Sequence, residues 1–258
     1  MGFAMQRLDL LLVERGLTDS RARAQRLIKE GRVQLEDGQV TTKPGLKLPA
    51  DAQIQVESRD EDRYVSRGAL KLIPALEAFA LPLESKIAID VGQSTGGFTD
   101  CLLQHGIQQV VGIEVGHEQL APRLREDSRV ICLEGYNARE LKPELLDYTG
   151  GTGFDLAVMD VSFISQTLIL DSLAPLLRTN GLLITLVKPQ FEVGPSHVGK
   201  GGIVRDSSLY PKVRQRIEHQ LSDLGFEPID FRESPVLGGD GNREFVLVAR
   251  KRDSGASQ

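Results

Sequence analysis

Ile87-Ala88-Ile89-Asp90-Val91-Gly92-Gln93-Ser94-Thr95-Gly96-Gly97-Phe98 joins a β-branched run ending in an acid to a glycine-rich turn, and a helical segment follows from Phe98 to His105. Strand, glycine turn and helix in that order form the nucleotide-binding corner of an α/β sheet. The glycines let a ligand approach the backbone, and the helix start presents free N–H groups. Ser94 stands where a pyrophosphate-binding GxGxxG has its second glycine, so a dinucleotide such as NAD fits badly. Glu114 closes the next apolar run, Val110-Val111-Gly112-Ile113, where a ribose-binding carboxylate belongs. An adenosine without phosphates, as in S-adenosylmethionine, suits both features.

Outward from this corner the chain alternates between apolar runs and helical stretches. Strands are predicted at 86–91, 110–114, 130–133, 154–159, 181–187, 226–232 and 243–250. Such alternation gives a mostly parallel sheet with helices on both faces. The last two runs are separated only by Ser234 to Asn242, which predicts an antiparallel hairpin at one edge. Seven strands with a terminal hairpin resemble the layout of Rossmann-like methyltransferases. The tail from Arg252 to Gln258 is polar and is expected to be disordered.

Residues 7–56 read differently. A short helix around Leu8–Val13 is stopped by Gly16. Asp19 or Ser20 caps a second helix that carries Ala24, Leu27 and Ile28 on its apolar side and ends at Gly31. Short strands follow at 32–35 and 53–56, with a turn at Glu36-Asp37-Gly38 and a loop at Lys43-Pro44-Gly45. Arg7-Leu8-Asp9, Ser20-Arg21-Ala22-Arg23-Ala24 and Leu27-Ile28-Lys29-Glu30-Gly31-Arg32-Val33 resemble the signature of the S4 RNA-binding domain, which implies two helices packed on a small twisted sheet. The division expected is an S4-like α+β domain over 1–60, a charged linker over 61–65 and an α/β domain over 66–251.

Composition is that of an ordinary globular chain, 40% hydrophobic and 26% charged. No apolar run approaches the length of a membrane span, and the first residues lack a signal-peptide pattern. Cys101 and Cys132 form no CxxC, and the four histidines have no metal-ligand spacing, so no metal is expected. Two free thiols fit a cytoplasmic setting. The net charge of −5 hides a segregated basic stretch: from Ser20 to Arg32 stand Arg21, Arg23, Arg26, Lys29 and Arg32, against Glu30 alone. A local basic face binds phosphate whatever the rest of the molecule carries.

Four charged residues fall where an open sheet presents side chains to a ligand. Lys71 lies in Ser66-Arg67-Gly68-Ala69-Leu70-Lys71-Leu72, and Asp160 ends Leu156-Ala157-Val158-Met159. Lys188 ends Leu182-Leu183-Ile184-Thr185-Leu186-Val187, and Glu244 opens the final strand. In that order they resemble the Lys-Asp-Lys-Glu tetrad of FtsJ-type RNA 2′-O-methyltransferases. With the S4-like module, the whole chain except the tail resembles the TlyA (haemolysin-A-type) branch of that class. Asp90-Val91-Gly92-Gln93-Ser94-Thr95-Gly96-Gly97-Phe98, Met159-Asp160-Val161-Ser162-Phe163-Ile164-Ser165 and Val187-Lys188-Pro189-Gln190-Phe191-Glu192 carry the likeness.

The resemblance implies S-adenosylmethionine-dependent methylation of a ribose, a cytidine, in ribosomal RNA or a ribosomal subunit. Lys71, Asp160, Lys188 and Glu244 would be catalytic. Lys188 would act as general base in its neutral form, which burial and the nearby Lys71 both favour. Asp160 and Glu244 would orient the amines. The cofactor would lie against Asp90, Gly92, Ser94, Thr95, Gly96, Gly97, Phe98, Glu114, Asn137 and Asp160. The Gln93 side chain is expected to point away from the methionine end. RNA would meet Arg7, Arg21, Arg23, Arg26, Lys29, Arg32, Lys43 and Arg67. It would also meet Lys200 and Arg205 on a mobile glycine-rich loop.

Gly194 to Gly201 has P-loop spacing but lacks the magnesium-binding Ser or Thr and an apolar strand running into it. Two other readings stay open: an S4-type assembly factor with an inactive methyltransferase fold, and a membrane-active protein as the haemolysin label suggests. A monomer is expected.

Overall fold

The structure, a computed structural model, describes residues 4–18, 20–57, 60–239 and 241–253. It divides into two compact units, Met1–Arg63 and Tyr64–Gln258.

The first unit contains β1 (Met5–Arg7), α1 (Leu8–Glu14), α2 (Arg21–Lys29), β2 (Val33–Leu35), β3 (Lys47–Pro49) and β4 (Ile54–Val56). Leu8 and Leu12 of α1 meet Ala24, Leu27 and Ile28 of α2 and Val33 in one small core. Ser20 caps α2 by accepting from the Arg23 N–H at 3.3 Å. The other cap expected, Asp19, lies outside the described residues. In place of one small sheet there are two antiparallel pairs, β1 with β3 and β2 with β4. Three-residue strands of mixed polarity, such as Met5-Gln6-Arg7, carry too little alternation to be read from sequence.

The boundary between the two units falls within the expected linker, residues 61–65. Asp60–Arg63 is a 3-10 turn, and Asp62 accepts a hydrogen bond at 3.1 Å from Arg32. Tyr64 is 2% exposed and belongs to the second unit's core. The disorder expected for the tail concerns residues that lie, from 254 on, outside the described ones.

The second unit runs α3 (Ala69–Ala78), β5 (Ile87–Val91), α4 (Gly97–Gln104), β6 (Gln109–Glu114), α5 (Pro122–Arg125), β7 (Val130–Glu134), β8 (Phe154–Met159), α6 (Thr167–Leu173), β9 (Leu177–Val187), α7 (Pro189–Glu192), α8 (Tyr210–Asp223), β10 (Phe226–Glu233) and β11 (Phe245–Lys251). The sheet order is β10-β11-β9-β8-β5-β6-β7, and β11 alone runs against the rest. This is the seven-stranded, mostly parallel sheet with a terminal hairpin that the alternation predicts. Strand β9 starts earlier than expected because Arg178-Thr179-Asn180 is exposed and polar.

Side chains alternate across the sheet with a period of two. Ile89, Val91, Ala157 and Met159 pack on one face with Ile169 and Leu173 of α6 and Ile217 of α8. Ala88, Leu156 and Val158 pack on the other with Leu72 of α3 and Leu102 of α4. Burial on both faces explains why the central strands read as continuous apolar runs. The sheet order turns back at β5, so the carboxyl edge of β5 and β8 opens a crevice. Because β11 is antiparallel, its beginning reaches the same edge as the ends of β8 and β9.

Candidate active site

At that edge the four sequence-predicted polar residues come together as two ion pairs. Lys71 of α3 donates to Glu244 at 2.7 Å, and Lys188 Nζ lies 2.6 Å from Asp160 Oδ1. Register explains the gathering. Phe245 pairs with Val187, which brings Glu244 to the level of Lys188, and the backbone N–H of Asp160 bonds to the carbonyl of Val91. Lys188 also donates to Ser162 Oγ at 2.9 Å. Glu244 is 3% exposed and Lys188 9%, so both ion pairs stand in a partly dried site where charge–charge attraction is stronger than in water.

Beside the pairs lies a cavity of about 500 Å³. Gly92, Ser94, Glu114, Asn137 and Asp160 of the expected cofactor contacts line it. Glu114 is oriented by the turn itself, its two oxygens accepting from the N–H groups of Ser94 (2.7 Å) and Gly116 (2.8 Å). Oε1 also accepts from Gln119 Nε2 at 3.5 Å, and Oε2 keeps a lone pair for a further donor. Asn137 both lines the cavity and caps the following 3-10 turn through the N–H of Arg139 at 3.0 Å. Gly92 has φ +83°, and a Cβ there would stand 2.7 Å from the Asp160 carbonyl oxygen, so the two strand ends approach as closely as glycine allows.

Several expected cofactor residues do other work. Thr95, Gly96, Gly97 and Phe98 do not line the cavity. Phe98 is buried in the core, and a Cβ on Gly97 would lie 2.2 Å from Ser66 Oγ, so this glycine serves the packing of α4 against the start of α3. Asp90 also lies off the cavity wall. It shares its strand face with Ala88, two residues earlier, and so points beneath α4, where Thr99 Oγ1 donates to its Oδ2 at 2.6 Å. Gln93 donates in turn to Thr99 at 2.9 Å and covers Gly112, outside the cavity wall.

The Asp90 Oδ1 atom is buried with no hydrogen-bond partner. Burial pushes this carboxyl up to about 7 against the opposing Thr99 hydrogen bond, and the charges of Asp160 and Glu114 add to the rise. Between the ordinary aspartate value near 3.9 and that value the folded chain binds more protons than the unfolded chain. Its contribution to stability is therefore lost as pH rises through this window. Thermal unfolding of the ligand-free chain should show the melting temperature falling between pH 5 and pH 8, and Asp90→Asn should recover about 5 °C of that fall. Parallel pH profiles for the two proteins would overturn the assignment.

Among the described residues, the cavity lining holds two carboxylates and no Lys or Arg. With the buried Asp90 nearby, it has no counter-charge for a diphosphate and is suited to a cationic ligand. Its mouth holds a residue the sequence reading passed over as a functional group: Phe163, 90% exposed at φ +64° and tilted against Phe191 at 5.2 Å between ring centres. The only sequence signal was an aromatic three residues after a polar strand end.

Lys200 and Arg205 are exposed, in a segment that makes contacts of its own. Val198 and Val204 form a bridge, and the buried Asn242 accepts from Val204 N at 3.1 Å and donates to Gly202 O at 2.9 Å. Arg67 is exposed just ahead of α3. Among the described residues no group of three or more His, Cys, Asp or Glu could hold a metal ion. No helix among them is long and apolar enough to cross a membrane.

In the first unit the basic residues sort into two kinds. Arg7 and Arg21 are half-exposed and anchored at 2.9 and 3.0 Å on Asp9, which is itself fully buried. The Arg7 hydrogen bond, helped by Gln25 and Arg21, holds the Asp9 carboxyl well below the usual range despite its burial. Lys29 and Lys43 are exposed, and Arg23 and Arg26 are half-buried around Asp62. Arg32 is a correction: it is 2% exposed, donates to Asp62 and to the Glu57 carbonyl, and holds the end of the unit in place rather than facing a ligand. A buried guanidinium between two fixed acceptors is structural, and sequence gives no sign of which arginine turns inward.

Comparison with known proteins agrees with this geometry. The FtsJ-like methyltransferase family matches residues 64–251 and the S4 domain residues 6–54. The chain is 46% identical over 242 residues to YqxC of Bacillus subtilis, which bears a provisional rRNA methyltransferase name, covering 94% of this chain and 84% of that one. It is 41% identical over 244 residues to the 16S/23S rRNA (cytidine-2′-O)-methyltransferase TlyA of Mycobacterium tuberculosis, covering 95% and 89%. A solved structure from Streptococcus thermophilus, provisionally labelled a hemolysin, superposes with a TM-score of 0.75 at 41% identity, covering 98% of this chain and 90% of that one. With two lysine–carboxylate pairs beside an acidic cavity and an S4 domain ahead of them, this chain belongs to the TlyA family of FtsJ-like methyltransferases.

Proposed function

We propose that this protein methylates the ribose 2′-OH of a cytidine in ribosomal RNA, with S-adenosylmethionine as methyl donor. The observation that carries the proposal is the meeting of both lysine–carboxylate pairs at the rim of a cavity whose only charged lining groups are acids. When bound, the cofactor supplies an electrophilic methyl on a positive sulfonium. Glu114 would accept from the adenosine ribose hydroxyls, and Asn137 and Tyr136 would border the adenine end. Asp160, on the cavity wall, would face the cationic end.

The nucleophile is a weakly acidic ribose hydroxyl, so the site must orient it and take its proton. Lys188, fixed by Asp160 and Ser162, is the group placed to take that proton. Lys71 and Glu244 hold the hydroxyl's other flank. Positioning of this kind supplies most of the acceleration, with general-base help of order 10²–10⁴. Phe163 offers a flat apolar face to the base of the bound nucleotide. The exposed Arg7, Arg21, Lys29 and Lys43, with Arg67, Lys200 and Arg205, supply the contacts to phosphate. A cytoplasmic site of action follows from that substrate, and a monomer suffices for it.

Mass-spectrometric mapping of 2′-O-methyl groups in ribosomal RNA, with and without the protein, tests the reaction directly. The expected result is a methylated cytidine that disappears with the protein. Calorimetry tests the cofactor site: S-adenosylmethionine should bind in the micromolar range, about −8 kcal/mol. Glu114→Ala should weaken that binding by about tenfold, one hydrogen-bonded contact to a charged group. Tight NADH binding without S-adenosylmethionine binding would overturn the reading.

A further inference from the structure

Glu192 is the most deeply buried acid near the site that the proposed reaction leaves without a task. Its side chain is 2% exposed, yet it accepts from three donors that join its own segment to two others. Oε1 accepts from the backbone N–H of Gln166 at 2.9 Å. Oε2 accepts from Ser165 Oγ at 2.7 Å and from Arg216 Nη2 of α8 at 2.6 Å. The same guanidinium group donates to the Glu192 carbonyl at 2.8 Å.

Two of these segments matter for the chemistry. Glu192 ends α7, the one-turn helix that begins directly after Lys188. Ser165 and Gln166 end the loop that begins with Asp160 and carries Ser162 and Phe163. The loop is thus fastened to the Lys188 strand at both ends. Lys188 holds Asp160 and Ser162 at one end, and Glu192 holds Ser165 and Gln166 at the other. Between them Phe163 leans on Phe191, and Gln166 accepts from Thr185 of β9 at 2.8 Å.

Burying a carboxylate is costly, and an apolar residue would fill the same space more cheaply. An acid is suited here because one carboxylate accepts from a hydroxyl, a backbone N–H and a guanidinium at once, which neither an amide nor an apolar side chain can do. We propose that Glu192 is a positioning residue that closes the Asp160–Gln166 loop onto α7 and so sets the Ser162 hydroxyl and the Asp160 carboxylate against Lys188. The proposal rests on the assignment of Lys188 to the reacting hydroxyl, and its physical content is the order of the loop.

The chain contains no tryptophan, so Phe163→Trp provides a single fluorophore on this loop. In the full-length chain carrying that probe, Glu192→Gln should lower the tryptophan anisotropy and raise its quenching by acrylamide at least twofold. On the native Phe163 background, Glu192→Gln should slow single-turnover methylation of ribosomal RNA by about 10–100-fold, with the RNA Kd within twofold of wild type. Ser165→Ala removes the bond to Glu192, together with the hydroxyl's local contacts to Thr167 Oγ1 and the Thr167 N–H, and leaves the acid paired with Arg216 and the Gln166 N–H. It should fold as wild type does and lose about 3–5-fold in rate, with no further loss when added to Glu192→Gln.

A Glu192→Gln protein with wild-type anisotropy and quenching would overturn the proposal, as would losses from the two substitutions that simply multiply. A Glu192→Gln protein that does not fold leaves Ser165→Ala to decide by its own rate and anisotropy, and unchanged values there would also overturn it. A loosened loop in a protein that methylates no RNA would leave the tether standing and instead refute the proposed reaction.

Discussion

Lys188→Ala should remove turnover by about 10³-fold in a single-turnover assay while S-adenosylmethionine and RNA still bind. The group it deletes is, among the described residues, the only amine paired with Asp160 and Ser162 at the cavity rim, and general-base assistance is worth of order 10²–10⁴. Lys188→Arg separates two roles. An arginine keeps the positive charge and the pairing with Asp160 but stays protonated, so it orients without accepting a proton. The expected result is that Lys188→Arg is as slow as Lys188→Ala. A Lys188→Arg enzyme near the wild-type rate would refute the base and leave an orienting cation. Lys71→Ala should cost less, about tenfold, because its partner Glu244 is 3% exposed and would be left as an unpaired buried acid at the edge of the site.

The second large effect should appear in RNA binding. Reversing charge at Arg21, Lys29 and Lys43 together, each to Glu, should weaken ribosomal RNA binding by about 10²–10³-fold at moderate salt. It should also flatten the salt dependence by about 0.7–0.9 in log–log slope for each phosphate that the protein no longer neutralises. Cofactor affinity should not change, since none of the three belongs to the second unit. These residues are chosen because their side chains face solvent, whereas Arg32 is spent inside the first unit. Filter binding across a salt series checks both numbers. A triple variant with wild-type affinity would remove this unit from RNA recognition.

The contrast between Arg21 and Arg32 shows where a linear reading stops. Both stand in one basic stretch, and charge segregation alone gives them equal claim to phosphate. Helix α2 ends at Lys29, and the chain turns at Gly31 into β2, which rotates Arg32 toward Asp62 and the Glu57 carbonyl. Which side of the unit a residue faces depends on that turn and on an acid thirty positions away. The glycine corner divides similarly. Gly92, Ser94 and Glu114 reach the cavity as their spacing implies, but Gly97 and Phe98 serve the seating of α4. A glycine that admits a ligand and a glycine that admits a neighbouring chain segment look alike in sequence.

Local pattern alone determined the seven strands, their mostly parallel order with a hairpin at the edge, the glycine turn at its carboxyl end and the four polar residues of the site. Those features rest on periodicity, β-branched runs and turn chemistry, which act over a few residues and survive in any single sequence. Tertiary structure alone decided which acid serves which lysine. Glu244 took Lys71 and Asp160 took Lys188 because β11 runs antiparallel to β9, a register set by pairing between residues some sixty positions apart. It also decided that Asp90 lies under α4 with a bare oxygen, that Phe163 stands out at the mouth, and that Glu192 ties two segments together. Each is a long-range contact whose partners are chosen by packing, and a one-dimensional pattern holds no record of packing.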